Sequence, residues 1–168
     1  MRLVGTRGDV YAERMEIVSF GANCAAKLDA FQETLMVIPE EVFFLDLHLL
    51  DSDGVLLGHN RYAFGRSETL APLLACPSTM LSISSQAREG KQMVTLTNPG
   101  ETAAMFLWLE DGRDLDASGY AYFDDNYFCL LPDESQTVTV TWKDVPVAER
   151  RLEISGWNTE TIQLHGDA

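Results

Sequence analysis

The run Thr137-Val138-Thr139-Val140-Thr141-Trp142 narrows the fold more than any other stretch of this chain. Apolar residues alternate with threonine at a period of two. One face therefore carries Val138, Val140 and Trp142, and the other carries hydroxyls. A half-buried β-strand separates side chains in this way, whereas a helix would scatter both sets around its circumference. Immediately upstream, Asp125-Asn126-Tyr127-Phe128-Cys129-Leu130-Leu131-Pro132 reads as another strand, rich in aromatic and leucine side chains. Pro132 has no N–H to give a ladder and belongs at its end. Pro132-Asp133-Glu134-Ser135 turns the chain, so the two strands are expected to form one edge of a β-sandwich.

The rest of the chain carries the same signals. Val10 to Phe20 reads as strand with a break near Glu13-Arg14, and Cys24 to Phe31 as a weaker strand of small residues. Leu35-Met36-Val37-Ile38 fits a buried strand or one helical turn, with strand preferred. In Val42 to Leu50, Phe43, Leu45, Leu47 and Leu49 alternate with Phe44, Asp46, His48 and Leu50, which places His48 toward solvent. Asp51-Ser52-Asp53-Gly54 makes a tight hairpin turn into a partner strand ending at Phe64. Asp51 and Asp53 lack the longer ligand series and closing glutamate of a calcium loop. Arg66 to Ser78 is the connector, apolar enough at Leu70-Ala71-Pro72-Leu73-Leu74 to pack between domains. Strands then follow at Met80 to Gln86, Gln92 to Thr97 and Ala103 to Leu109, with a turn at Asn98-Pro99-Gly100-Glu101 and a polar loop from Asp111 to Gly119. With the two strands already described and those at Arg151 to Ser155 and Thr161 to Leu164, the second half reaches the seven strands of an immunoglobulin-type sandwich. The first half falls short of that number.

Two parts of the sequence resemble a known family. Asp125-Asn126-Tyr127-Phe128 followed by Leu130-Leu131-Pro132 and Glu134-Ser135 resembles the strand–turn–strand signature in the last domain of β-mannosidases of glycoside hydrolase family 2; exo-β-glucosaminidases are next closest. Ile154-Ser155-Gly156-Trp157-Asn158 is similar to the closing strand of those domains. Phe44 to Leu47, Asp51 to Gly54 and Asn60-Arg61-Tyr62-Ala63-Phe64 look like the end of the immunoglobulin-like domain before it. Cys129 stands where that pattern commonly has an acid, and Asp133 where it commonly has glycine. The resemblance implies an all-β chain of two immunoglobulin-like β-sandwich domains. Residues 1–74 would be the C-terminal part of an incomplete sandwich, and residues 75–168 a whole one. Incomplete sheets leave unpaired edges, so the isolated chain is expected to self-associate through its first half.

Composition limits the partners. The chain has 26 acidic against 12 basic residues, a net charge of −14, which repels a phosphate backbone and argues against nucleic acid. No apolar run approaches the ~20 residues of a membrane-spanning helix, and the start lacks a signal-peptide core. Cys24, Cys76 and Cys129 show no paired spacing, which fits reduced thiols in a cytoplasmic protein.

Chemistry is sparse. No nucleophile elbow, phosphate loop, zinc-spaced Cys/His set or HExxH motif occurs, and no cofactor or metal is implied. His48, His59 and His165 are scattered. Glycoside hydrolysis needs two carboxyl groups facing each other across the scissile bond. The acids here lie in turns and on strand exteriors, and a pair such as Asp124 and Asp125 has no pocket to separate its pKa values. The resemblance places both catalytic glutamates of the parent enzyme in an upstream (β/α)₈ barrel, so no catalytic residue is assigned and the chain alone is expected to be inactive. It would be an accessory region that braces the catalytic domain, that domain being its first partner, with a second copy of the chain or carbohydrate as further ones. The parent would cleave a terminal β-mannoside with retention. The alternative is a carbohydrate-binding module. Tyr120 and Tyr122, which follow the polar loop, are the candidates for sugar contact; Trp108, Trp142 and Tyr127 read as core. Asp125, Asn126, Tyr127, Phe128, Leu131, Pro132, Trp157 and Asn158 are the signature residues and read as structural. Asp125 and Asn126 should bond nearby turn backbone, and Trp157-Asn158 should plug the sandwich end.

Overall fold

The structure is a computed structural model that describes residues 1–19, 21–25, 27, 38–66, 68–69, 71–88 and 91–165. It divides into two compact units, Met1–Ala75 and Cys76–Ala168. All its sheets are antiparallel, and among the described residues helix is limited to the single turn α1 (Ala71–Leu74) and a 3₁₀ turn at Val147–Glu149.

In the first unit, β1 (Arg2–Gly5), β2 (Val10–Glu13), β3 (Val42–Leu50) and β4 (Leu56–Gly65) form one sheet in the order β2-β1-β3-β4. The expected strand from Val10 stops at Glu13, and β1 was not legible: four residues are too short for periodicity to show. Cys24, Ala25 and Lys27 carry no regular structure, and most of the strands expected at Cys24 to Phe31 and Leu35 to Ile38 lies outside the described residues. The β3–β4 hairpin turns at Asp51–Gly54 as expected. Gly54 takes φ +80°, and Asp51 Oδ1 accepts the N–H groups of Asp53 and Val55.

The face of β3 expected to meet solvent is instead buried at its near end. Phe44 and Asp46 are buried, while Leu49 on the opposite face is exposed. A buried carboxylate needs a counter-charge. Asp46 has one in Arg61, its cross-strand partner, which reaches it at 2.5 and 2.8 Å.

Glu40 ties the short strands together. Its carboxylate accepts Thr6 N–H at 2.8 Å, Thr6 Oγ1–H at 2.6 Å and Tyr11 O–H at 2.7 Å. Gly5 leaves room for it, since a Cβ there would run into the Glu40 carboxylate. The bond to Glu40, then burial and the nearby negative charge, push the Tyr11 phenol up to about 12. An unfolded tyrosine loses its proton near 10. The folded state thus holds this proton more tightly, and the tie contributes fully below pH ~10 and is lost as pH rises toward 12. Phenolate absorbance of the folded chain should show a step near pH 12 that Tyr11→Phe removes; an unchanged titration in that variant would refute the assignment.

The second unit is a sandwich of two four-stranded sheets. β5 (Ser82–Arg88), β6 (Lys91–Thr97), β10 (Ser135–Lys143) and β8 (Tyr120–Phe123) form one, in the order β5-β6-β10-β8. β12 (Thr159–His165), β11 (Arg151–Gly156), β7 (Ala104–Asp111) and β9 (Phe128–Leu130) form the other, in the order β12-β11-β7-β9. Val94, Leu96, Val138, Val140 and Trp142 from the first sheet pack with Leu107, Leu109, Leu130, Leu152 and Ile154 from the second. Each aliphatic side chain so buried contributes roughly 1.5–3 kcal/mol.

Two expectations change here. Among the described residues the unit has eight strands, because Tyr120–Phe123 is a strand of its own. And β9 and β10 do not form a common edge: β9 pairs with β7, whereas β10 lies between β6 and β8. The Pro132 turn therefore carries the chain from one sheet to the other. Asn98 holds that crossing. Asp133 N–H donates to Asn98 O at 2.8 Å, and Asn98 N–H to Glu134 O at 3.0 Å. The Asn98 amide donates to Thr102 O and Leu130 O, and its oxygen accepts from Thr79 and Gly100. Asp133 sits at φ +63°, a conformation that suits glycine and that aspartate tolerates better than most residues.

Candidate functional site

The outer face of the β5-β6-β10-β8 sheet brings the sugar-contact candidates together. Tyr122 lies opposite Thr141 and Tyr120 opposite Lys143, while Ala121 and Phe123, which alternate with them, turn toward the core. Tyr120 is 59% exposed and Tyr122 61%. Both rings stand on the solvent face of an edge strand. Inward from them runs a field of hydroxyls. Thr137 lies opposite Thr95, with their oxygens 2.8 Å apart, and Ser135 opposite Thr97, also at 2.8 Å. Ser84 and Ser82 continue these rows onto β5. Phenol rings present apolar faces that stack on a pyranose ring, and hydroxyls exchange hydrogen bonds with sugar hydroxyls.

Local backbone features position β8. Gly119 enters the strand at φ +79°, close against Lys143 O and Asp144 O, where a side chain would be both strained and crowded. At the other end, Asp124 Oδ1 accepts Thr139 N–H at 2.7 Å. Asp125 accepts its neighbour's N–H and the Gln136 amide at 3.0 Å. Asp124 and Asp125 thus fix turns through these hydrogen bonds.

The signature residues divide by role. Asn126 bonds its own turn, its Oδ1 accepting Tyr127 N–H at 3.1 Å, and it also acts as a missing strand segment for β7, accepting Leu109 N–H at 2.9 Å and donating to Leu109 O at 2.8 Å. Tyr127, read as core, is 77% exposed at φ +61°, because the left-handed residue turns its ring out of the strand pattern. Phe128 packs against the core, Leu131 is buried, and Pro132 lies in the turn that follows the strand's end at Leu130. Trp142 is buried as expected and Trp108 half-buried. Trp157 is 44% exposed, and its main-chain N–H donates to Met105 O at 2.8 Å. Asn158 is the buried member of that pair. Residue-type reasoning passed over Gln92 and Asn98, both buried and hydrogen-bonded. Their only sequence signal was a polar residue at an inward or turn position.

Two facing antiparallel sheets, with surface-exposed aromatics and acids engaged in turns, define the second unit as an immunoglobulin-type β-sandwich module. A family model described as the exo-beta-D-glucosaminidase Ig-fold domain matches residues 65–159. The chain belongs to this family. Among solved structures it is similar to the exo-chitosanase CsxA of Amycolatopsis orientalis, with a TM-score of 0.56 at 19% identity over 75% of this chain and 18% of that one. A second structure, of the exo-beta-D-glucosaminidase CsxA inhibited by a glucosamine-configured castanospermine and an amino-australine analogue, matches with the same values. At that identity the likeness establishes the fold. The chain spans 18% of the length of CsxA. No curated protein matches it. These matches name the exo-β-glucosaminidase side of the resemblance and give no specific support to β-mannosidase.

Proposed function

We propose that this chain is a non-catalytic accessory region of a family 2 glycoside hydrolase, and that the parent removes terminal β-linked glucosamine, with β-mannoside as the second substrate to test. The observation that carries this reading is the family match over residues 65–159. The region braces a separate catalytic barrel. Leu50, Val55, Leu56 and Leu57, exposed around the β3–β4 turn, offer an apolar surface for a neighbouring domain to cover. In the isolated chain a second copy would cover it instead.

The purified 168-residue chain is expected to release no nitrophenol from a nitrophenyl β-glucosaminide or β-mannoside. Turnover that survives further purification would refute the accessory role. Coding sequence upstream of Met1 that specifies a (β/α)₈ barrel would support it, and its absence from the gene would favour a plain interaction module.

The tyrosine pair on β8 favours a second reading, in which the module itself holds carbohydrate. Glucosamine or mannose oligosaccharides should then perturb the Tyr120 and Tyr122 ring resonances, and Tyr122→Ala should weaken binding about tenfold, the ~1.4 kcal/mol of one stacked ring. Unmoved rings at millimolar sugar would dismiss this reading.

A further inference from the structure

Three side chains that the sequence scatters meet on one face of the first unit. His48 on β3 lies opposite His59 on β4, with ring centroids 4.6 Å apart and planes at 84°. Asp46, two residues earlier on β3, shares their face. One donor atom from each of the three lies within 4.8 Å of the others. His59 Nε2 already stands 3.6 Å from Asp46 Oδ1. Both imidazoles are open to solvent, while the carboxylate is buried beneath them.

We propose that Asp46, His48 and His59 form a binding site for a divalent transition-metal ion of the zinc class. The two imidazoles are its main ligands, and Asp46 Oδ1 is the third. A tetrahedral zinc ion at about 2.0–2.1 Å from each ligand sets the ligand atoms about 3.4 Å apart. Small rotations of two exposed rings close the remaining gap. The fourth position faces water.

Arg61 orients the third ligand. It holds Oδ1 at 2.5 Å and Oδ2 at 2.8 Å, and a carboxylate oxygen keeps a second lone pair after accepting one hydrogen bond. Arg2 approaches at 3.5 Å, but on Oδ2, away from the imidazoles. These two guanidiniums set the ion class. They neutralise Asp46 and repel a hard cation held only by charge, so calcium and magnesium are rejected. Zinc, nickel or copper gain from imidazole nitrogen and are accepted. The bound ion would clip β3 to β4 near the hairpin turn.

Zinc chloride titrated into the full chain, with histidine ring resonances as the readout, tests this. One ion per chain is expected, shifting His48 and His59 together and leaving His165 in place. His48→Gln and His59→Gln alter exposed side chains and should each weaken binding at least tenfold. Calcium chloride should shift neither ring. Binding undiminished in His59→Gln, shifts confined to one imidazole or to His165, or an equal response to calcium would each overturn the proposal.

Discussion

Trp142→Ala should lower the unfolding free energy of the second unit by about 4 kcal/mol, within the ~3–5 kcal/mol range for emptying a buried aromatic site. That is a large share of the ~5–15 kcal/mol that holds an ordinary domain together. Trp142 lies at the centre of several contacts. Its ring packs into the core between the sheets. Its Nε1–H donates to Gln92 Oε1 at 3.0 Å, and the Gln92 amide donates to Ser85 Oγ at 3.0 Å, so the indole links β10 through β6 to β5. Arg113 and Arg150 lie over the ring at 5.8 and 5.9 Å. Arg113 is held there by Asp111 at 2.7 and 2.9 Å and by Ser118 O at 2.7 Å. Trp142→Phe separates these parts: it keeps most of the apolar volume but strands the buried Gln92 oxygen, and should cost roughly 1–3 kcal/mol. All three tryptophans lie in the second unit, so fluorescence of Trp108 and Trp157 follows its unfolding without a signal from the first. A loss under 1 kcal/mol for the alanine variant in urea denaturation would show that Trp142 is not a core residue.

Asn158→Ala should cost about 3 kcal/mol in the same measurement. The Asn158 amide is buried and completely bonded. Its oxygen accepts Met105 N–H at 2.9 Å, and its nitrogen donates to Pro77 O at 2.8 Å and Ala103 O at 2.9 Å. Its own carbonyl accepts Thr79 N–H at 2.9 Å. One side chain thereby fastens the entry to β5, the start of β7 and the β11–β12 turn. Truncation takes this partner from three main-chain groups, two of them buried, at roughly 1 kcal/mol each or more. Asn158→Asp keeps the acceptor but turns an oxygen toward two carbonyls and buries a charge, and should be worse than alanine near neutral pH. Equal stability of the alanine variant and the parent chain would mean that water replaces the amide.

The fold class was readable because sheet faces impose a period of two on the chain. Val138, Val140 and Trp142 are buried and Thr137, Thr139 and Thr141 are not fully so, as their alternation requires. The hairpin at Asp51–Gly54 was readable because its backbone calls for glycine. Tyr120 and Tyr122 could be singled out as uncommitted aromatics, but not placed, because β8 is four residues long and short strands carry little pattern.

Pairing was not readable, because alternation says which face a residue takes and not which strand lies beside it. The Pro132 turn looks like a hairpin in the sequence; Asn98, more than thirty positions away, makes it a crossing between sheets. The same limit hid the histidine pair. From Leu50↔Leu56 a regular ladder would set His48 opposite Gly58, and the irregularity between Leu49 and Leu50 moves it opposite His59. Tyr127 left the core through a left-handed φ that its residue type does not favour. Side-chain chemistry along the chain thus determined the sheets, their inward faces and the acidic, motif-poor surface. Hydrogen bonds between distant segments decided which strands became neighbours, and with that which polar side chains stand together.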